Sequence, residues 1–452
     1  MNFNKYVAAL EISSSKVVGV VGVEESGHLN IIATDQEKSV ESVRYGHIQN
    51  LEDTSNRVAR VLARLERAPG VAPRRIGGVY VGLSGRSLRN IVTTVSLTLP
   101  EDTEVNDEIL ERLRSQALAT SIDSSLTVID AVPCTYKIGT QETPNPKGVV
   151  GNRIEGTYNL IVCRPSLIRN ITRTLPEKLG IRIEGFVVTA LATANVILTD
   201  EEQRLGCMLV DMGAETTSVS IYKGGCLRYF VTLPLGGRNI TRDITSLHQL
   251  EERSEEIKIQ SGTAIMRETS SSLNIHGLKL ADVHNLIVAR AEEIVANVVE
   301  QITYADMKEK DLPGGIVLIG GAAYLNSMNE LLERQSGLSV RMGRNPAYIR
   351  IDAPATNHNN LIEVTAVAYA GATRGNSVCL EEPAKEELPV TGEANRPDPE
   401  GTGTGAETGK RPSGGERGPQ IKAKGNKLFG YLRDKMANMF GTEDDESDLL
   451  DD

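Results

Sequence analysis

The sequence predicts an α/β protein of two similar lobes facing each other, on three observations. Two β-hairpins, one opening the chain and one near its middle, each carry an acid just before a tight turn. A third segment, near residue 320, reads as a buried strand that runs through a glycine pair into a helix.

In the first hairpin, Tyr6-Val7-Ala8-Ala9-Leu10 is an apolar strand leading into Glu11; Ile12-Ser13-Ser14-Ser15-Lys16 follows, the return strand covers 17–23, and Gly27 marks the next turn. In the second, Cys207-Met208-Leu209-Val210 leads into Asp211. Met212-Gly213-Ala214 makes the turn, Thr216 and Thr217 open the return strand, and Gly224-Gly225 ends it. Such turns hold several backbone N–H groups together beside hydroxyls, which suits phosphate oxygens, and leave the acid to hold a metal through water. A single copy would read equally well as an ordinary tight turn. The repeat, with Glu11 and Asp211 in the same place, points to two half-domains about one phosphate site. The third segment, 314–323, ends in Gly320-Gly321-Ala322-Ala323, with Leu325, Met328, Leu331 and Leu332 at helical spacing beyond it. Glycines at such a strand-to-helix turn let a flat ring or a phosphate approach the backbone.

Composition narrows the classes. At 452 residues two lobes or more are expected, and no apolar run of 18 residues is present. The N-terminus lacks a secretory pattern. The five cysteines, Cys134, Cys163, Cys207, Cys226 and Cys379, form no CxxC pair and read as reduced thiols, which points to the cytoplasm. The six histidines show no metal-ligand spacing. Of the net charge of −11, residues 381–452 carry −7, from 17 acids against 10 bases. The nearly neutral body has no basic stripe, so nucleic acid is not an expected partner.

Along the chain, 54–67 reads as a helix with Val58, Val61, Leu62 and Leu65 on one face, and 76–83 as a strand. A compact run follows: strand 91–99, helix 106–121, strand 126–138, a Pro/Gly loop at 143–151 and strand 157–163. It carries no residues of catalytic type and reads as either a structural lobe or an interaction module. Helix is expected over 164–180, 189–198, 239–262 and 286–307, with strand over 181–188. Residues 381–425 hold six prolines and nine glycines and read as a flexible tether. Within it, Gly409-Lys410 lacks the leading Gly and following Ser or Thr of a phosphate loop.

Residues 427–440 break that pattern. Leu428, Phe429, Tyr431, Leu432, Met436, Met439 and Phe440 recur at spacings of three and four, with Arg433 and Lys435 turned away from them. Too short to span a bilayer, the segment reads as an interfacial amphipathic helix for an anionic lipid surface, or as a helix that docks on protein. Its apolar burial is nearly offset by the cost of ordering it, and the seven acids in 441–452 oppose binding to anionic lipid. Many linked copies make such a marginal anchor firm.

With these motifs in this order the chain resembles the actin-like ATPases, the superfamily of actin, sugar kinases and the large heat-shock chaperones, and within it the FtsA family of bacterial cell-division proteins. The resemblance implies an actin-like (ribonuclease-H-like) two-lobed fold with a small inserted subdomain. It assigns 1–84, 164–204 and 361–380 to one subdomain, 85–163 to the insertion, 205–238 and 312–360 to a second subdomain and 239–311 to its outer lobe. A linker (381–425), a membrane-targeting helix (426–441) and an acidic tail (442–452) follow. It further implies that ATP with Mg²⁺ is bound by Ser13, Ser14, Ser15 and Lys16, by Asp211, Gly213, Ala214, Thr216 and Thr217, and by Gly320, Gly321, Ala322 and Ala323. Gly236, Gly237, Glu255, Glu256 and Lys258 complete that set, and Glu11 and Asp211 position metal-held water. Partners implied are a second copy of the chain in a filament, later division proteins at the insertion, and the acidic C-terminal tail of the tubulin-like protein FtsZ, expected at Arg242 and Arg253. The implied location is the cytoplasmic face of the inner membrane at the division site.

The turns depart from the family pattern. Ser13 replaces a glycine, Ala214 and Glu215 replace two more, and Ser218 stands where Asp is frequent. A Glu215 carboxylate facing the γ-phosphate would repel it unless turned out or bridged by metal, so ATP is expected to bind and to be hydrolysed slowly or not at all. A phosphotransfer enzyme or chaperone-type ATPase of the same fold is the alternative.

Overall fold

The computed structural model describes residues 5–39, 41–266, 274–353, 361–374 and 378–382. The chain forms two units, Met1–Lys385 and Glu386–Asp452. The expected amphipathic helix, the acidic tail and nearly all of the linker lie outside the described residues, as does Arg267.

The first unit contains the same sheet twice. In the first lobe, Lys5–Ile12, Lys16–Glu25 and His28–Lys38 form an antiparallel meander, and Gly78–Leu83 and then Arg182–Val188 add parallel on the far side of Lys5–Ile12. In the second lobe, Cys207–Met212, Thr217–Lys223 and Cys226–Leu233 form the meander, with Ile316–Ile319 and Val340–Met342 parallel beyond Cys207–Met212. The correspondence extends to single residues. Glu11 pairs with Val18, one step before the pair that closes its turn, and Asp211 pairs with Ser218 in the same position. Nearly continuous Val, Ile, Leu and Ala in the central strands reflects burial on both faces.

Each lobe has its own core. The helix Leu51–Glu66 presents Val58, Val61, Leu62 and Leu65 to the first sheet and starts at Asn50, whose side chain accepts from the Asp53 N–H. The helix Ile362–Thr373, buried along most of its length, packs on Lys5–Ile12. In the second lobe Leu280–Tyr304 buries Ile287, Ala291, Ile294, Val298 and Ile302.

The insertion consists of strands Arg89–Glu104, Thr127–Ile138, Gln141–Thr143 and Val150–Cys163 with helix Asp107–Leu118. Its core is separate, formed by Leu99, Ile109, Leu113, Ile154 and Tyr158 among others. Its sheet continues into that of the second lobe through the single pair Val231 and Arg89. Among the described residues, no helix is long and apolar enough to cross a membrane.

Two expected helices are divided. The 239–262 segment is two helices, Gly237–Thr245 and Glu251–Ser261. The Thr245 and Ser246 hydroxyls donate to the Arg242 and Asp243 carbonyls, competing with the next helical turn, and His248 takes a left-handed φ of 62°. The 164–180 segment is helical over Pro165–Thr172 and widens into a π-helical turn over Arg173–Leu179, where Pro176 has no N–H to continue the ladder. The helix expected at 286 starts earlier, at Leu280.

The helix Ile362–Thr373 depends on one small residue, since a Cβ on Gly371 would run into the Tyr80 ring. Gly371→Val should lower the free energy of unfolding by about 1–3 kcal/mol in urea titrations, and an unchanged midpoint would show that the ring moves aside without cost.

Candidate functional site

The two hairpin turns share one cleft. Ser13 N and Oγ both donate to the Lys16 carbonyl, at 2.9 and 3.0 Å, closing the first turn. Ser14 is buried, and its Oγ accepts from the Gly46 N–H at 3.0 Å. Gly46 follows Tyr45 in a pair of left-handed residues, with φ of 49° at Tyr45 and 79° at Gly46, which turns both N–H groups toward the hairpins. The Tyr45 N–H donates to Glu215 on the second turn at 2.8 Å.

The second turn is built against a helix start. Gly213 N donates to the Thr216 carbonyl; the Gly213 and Ala214 carbonyls accept from the Gly237 and Arg238 N–H groups at 3.0 and 2.6 Å. Gly236 has no room for a side chain, because a Cβ would lie 2.7 Å from the Gly213 and Ala214 carbonyl oxygens. Thr217 is fully buried and donates to the Leu235 carbonyl at 2.8 Å, whereas Thr216 is partly exposed. Thus the hydroxyls of Ser13, Ser14 and Thr217 brace the backbone.

At the base of the cleft four charged groups act on one another. Glu11 is buried, and burial first, then the Glu363 carboxylate, pushes its pKa up from 4.5 to about 7, with Lys16 opposing. Asp211 is also pushed up, by desolvation and then by Glu363 and Glu11, again with Lys16 opposing. Burial raises Glu363 as well, and Lys16 again opposes. Among the described residues no three His, Cys, Asp or Glu side chains group closely enough to hold a metal ion directly. The site's surplus of negative charge over Lys16 therefore suits a hydrated cation rather than a closed ligand cage.

Gly320 adopts φ 90° beside these acids, and a Cβ there would stand 2.6 Å from Asp211 Oδ1. Gly321 faces open space, with nothing within 4 Å of a Cβ placed there. Gly237 approaches Ala322, and Ala323 is buried. Lys258 is nearly buried and donates to the Gly237 carbonyl (3.1 Å), Thr241 Oγ1 (2.9 Å) and Glu255 (2.7 Å), with burial holding its pKa below the usual lysine value. Residues 213–214, 236–237, 255, 258 and 320–322 therefore form one connected wall. Glu256 lies apart from it, exposed and paired with Arg253 at 2.7 Å.

Glu215 is turned away from open space and held by three arginines. Its side chain is 1% exposed, and Oε1 lies 2.9 Å from Arg44 Nε, 3.3 Å from Arg238 Nη1 and 2.9 Å from Arg242 Nη2. Arg44 belongs to the first lobe and the other two to the second. Arg242, expected on a docking surface, thus contributes to this cluster, while Arg253 pairs with Glu256 and His276.

Glu363, Arg44 and Arg238 were not among the expected site residues. Glu363 had a legible signal, as the one acid in an otherwise apolar helix, like Glu11 in its strand. The arginines had none, because exposed arginines elsewhere look the same in sequence.

A family model described as "Cell division protein FtsA" matches residues 208–370, and one described as "SHS2 domain inserted in FTSA" matches 85–162. The cell division protein FtsA of Porphyromonas gingivalis is 30% identical over 356 residues, covering 75% of this chain and 74% of its own length. This chain belongs to the FtsA family of cell-division proteins. The Bacillus subtilis FtsA is also 30% identical, over 78% of this chain and 82% of its own, and the Escherichia coli K12 FtsA is 28% identical over 75% and 84%. The FtsA-family fold is shared more widely: a chain of a PilM-PilN type IV pilus biogenesis complex superposes with a TM-score of 0.59 at 16% identity, over 81% of this chain and 98% of that one. The inserted-domain match coincides with the separate core described above, so the lobe read as either structural or interacting is the FtsA insertion.

Two consequences are measurable. The energetic penalty of ionising Glu11 is absent below its unfolded pKa of 4.5 and fully developed above about 7. With metal and nucleotide removed, Glu11→Gln should therefore stabilise the protein at pH 8, by on the order of 3 kcal/mol, and leave it nearly unchanged at pH 4.5. Equal shifts at both pH values would exclude this cause. Glu215→Gln, which leaves three arginines without their shared carboxylate, should cost about 2–3 kcal/mol in urea unfolding; a loss below about 0.5 kcal/mol would mean that solvent satisfies them.

Proposed function

We propose that this chain binds ATP–Mg²⁺ between its two acid-tipped turns, polymerises, and links FtsZ filaments to the cytoplasmic face of the inner membrane at the division site. The observation that carries this reading is the equivalence of Glu11 and Asp211: the same register position in two copies of one sheet, electrostatically coupled in a single cleft. The open approach at Gly321, beside the small-residue turn and the wall from Gly236 to Lys258, suits an adenosine.

In this reading the backbone of the turns, with Ser15, Lys16 and Thr216, faces the phosphates, and Glu11 and Asp211 hold Mg²⁺ through water. The cation supplies charge neutralisation between the phosphates and the buried acids. Slow or absent hydrolysis accords with the bracing roles of Ser13, Ser14 and Thr217 and with Glu215 being committed to arginines. Nucleotide then serves to close the cleft and license assembly. The filament concentrates the 426–441 helices, through Leu428, Phe429, Tyr431, Leu432, Arg433, Lys435, Met436, Met439 and Phe440, on anionic lipid. The insertion serves self-association and later division proteins. The outer lobe receives the FtsZ tail with Arg253 at its exposed edge; Arg242 takes part there only by exchanging Glu215 for the acidic peptide.

The test combines three measurements on the full chain. ATP–Mg²⁺ should bind and release phosphate far more slowly than a sugar kinase does, and Gly320→Val should abolish binding. Sedimentation with anionic liposomes should be lost on truncation after Gly425. An immobilised FtsZ tail peptide should retain the protein. Binding unaffected by Gly320→Val would remove the cleft as the nucleotide site, and liposome binding by the truncated chain would remove the anchor.

A further inference from the structure

Two thiols at the junction of the insertion and the second lobe take no part in the cleft. Cys134 lies on the inserted strand Thr127–Ile138, and Cys226 opens the second-lobe strand Cys226–Leu233, just past the Gly224–Gly225 turn. Both are buried, and they meet: the Cys226 thiol donates to the Cys134 carbonyl oxygen at 2.6 Å, and each thiol acts on the protonation of the other. Arg228 Nη1 stands 3.3 Å from Cys134 Sγ, and Arg228 Nε donates to the Lys223 carbonyl at 3.1 Å, which fixes the guanidinium.

On its other side Arg228 lines an open cavity of about 480 Å³, together with Arg204, Lys223, Gly224 and Asp311. Arg228 thus touches both the Cys134 sulfur and that cavity. The remaining cysteines lack these features. Burial alone pushes Cys163 up to about 12, and burial is the leading cause that takes Cys207 to about 12 and Cys379 to about 11. Cys134 goes the other way, to about 6, through the hydrogen bond with Cys226 and then the Arg228 charge, against burial, while Cys226 is pushed up. The Arg228 guanidinium beside the Cys134 sulfur favours its thiolate and marks it as the nucleophile of the pair.

We propose that Cys134 and Cys226 form a redox modification site that a hydroperoxide closes into a disulfide, stapling the inserted lobe to the second lobe. The Cys134 thiolate attacks the peroxide; an S–O bond forms, the O–O bond breaks, and two electrons pass from sulfur to the leaving alkoxide or hydroxide, which takes up a proton. The resulting sulfenic acid is attacked by the Cys226 sulfur, the S–O bond breaks, and the Cys226 proton leaves in water as the S–S bond forms. Two thiols and one hydroperoxide become one disulfide, one alcohol or water, and one water. The cross-link joins the separate core of the insertion to the strand after the second hairpin, so it holds the insertion in one orientation. A dithiol reductant reverses it.

The full reduced chain is treated with hydrogen peroxide, its remaining thiols are alkylated, and intact and digested masses are read. The expected result is loss of two of five alkylatable thiols and a single cross-linked peptide pair containing Cys134 and Cys226. Cys226→Ser should instead accumulate Cys134 as a dimedone-reactive sulfenic acid, and Cys134→Ser should give neither product. Arg228→Met should slow oxidation about tenfold at neutral pH, with unchanged far-ultraviolet circular dichroism confirming that the variant is folded. Wild-type protein that keeps all five thiols alkylatable, or forms a cross-link other than 134–226, overturns the proposal without requiring any variant to fold.

Discussion

The cleft concentrates negative charge where solvent is scarce. Each lobe is a three-strand meander flanked by two parallel strands, and each carries an acid one residue before the end of its first strand; bringing the lobes together sets Glu11 and Asp211 at one place, with Glu363 added by a helix packed on Lys5–Ile12. Like charges in a desolvated site cannot all ionise at their usual pKa, and Lys16 opposes the rise in all three. The fold thereby creates a demand for a cation that its own side chains do not fully meet. In the proposed function a metal accompanying an anionic ligand would relieve this, so the constraint that sets the energetics of the acids is also the one the proposal rests on.

The glycine-poor turns show how side chains are accommodated in a site of this kind. Serine hydroxyls in the first turn and Thr217 after the second take up backbone groups and stiffen the hairpins. Glu215, the substitution most at odds with phosphate binding, is drawn aside by Arg44, Arg238 and Arg242 and by the Tyr45 N–H. Its burial is tolerable because charge and hydrogen-bond partners come from both lobes. It therefore links the lobes across the cleft, and any movement between them has to rearrange this cluster.

The inserted lobe has its own core and a narrow connection to the second sheet, a single strand pair at Arg89 and Val231. Side chains add to that connection: Ile161 and Cys163 of the last inserted strand pack into the core of the first lobe, Asn159 donates to the Leu227 carbonyl, Asn90 accepts from the Phe230 N–H, and further side chains meet at the junction. Cys134, Cys226 and Arg228 are among them.

The sequence alone determined the duplicated hairpins, the glycine turn at 320, the helix faces and the existence of the inserted segment, because strand and helix periodicity and turn chemistry are local properties. It also determined that Glu11 and Asp211 correspond, since a repeat is visible without coordinates. Only the tertiary structure decided what depends on distant partners. The break within 239–262 follows from hydroxyls bonding back to their own helix, but the capture of Glu215 by Arg44, 171 positions away in the chain, has no local signature. The membership of Glu363 in the acid cluster and the meeting of Cys134 with Cys226 are of the same kind. Electrostatic coupling and thiol contact act through space, and residues remote in sequence become neighbours only once the two sheets and the insertion have packed.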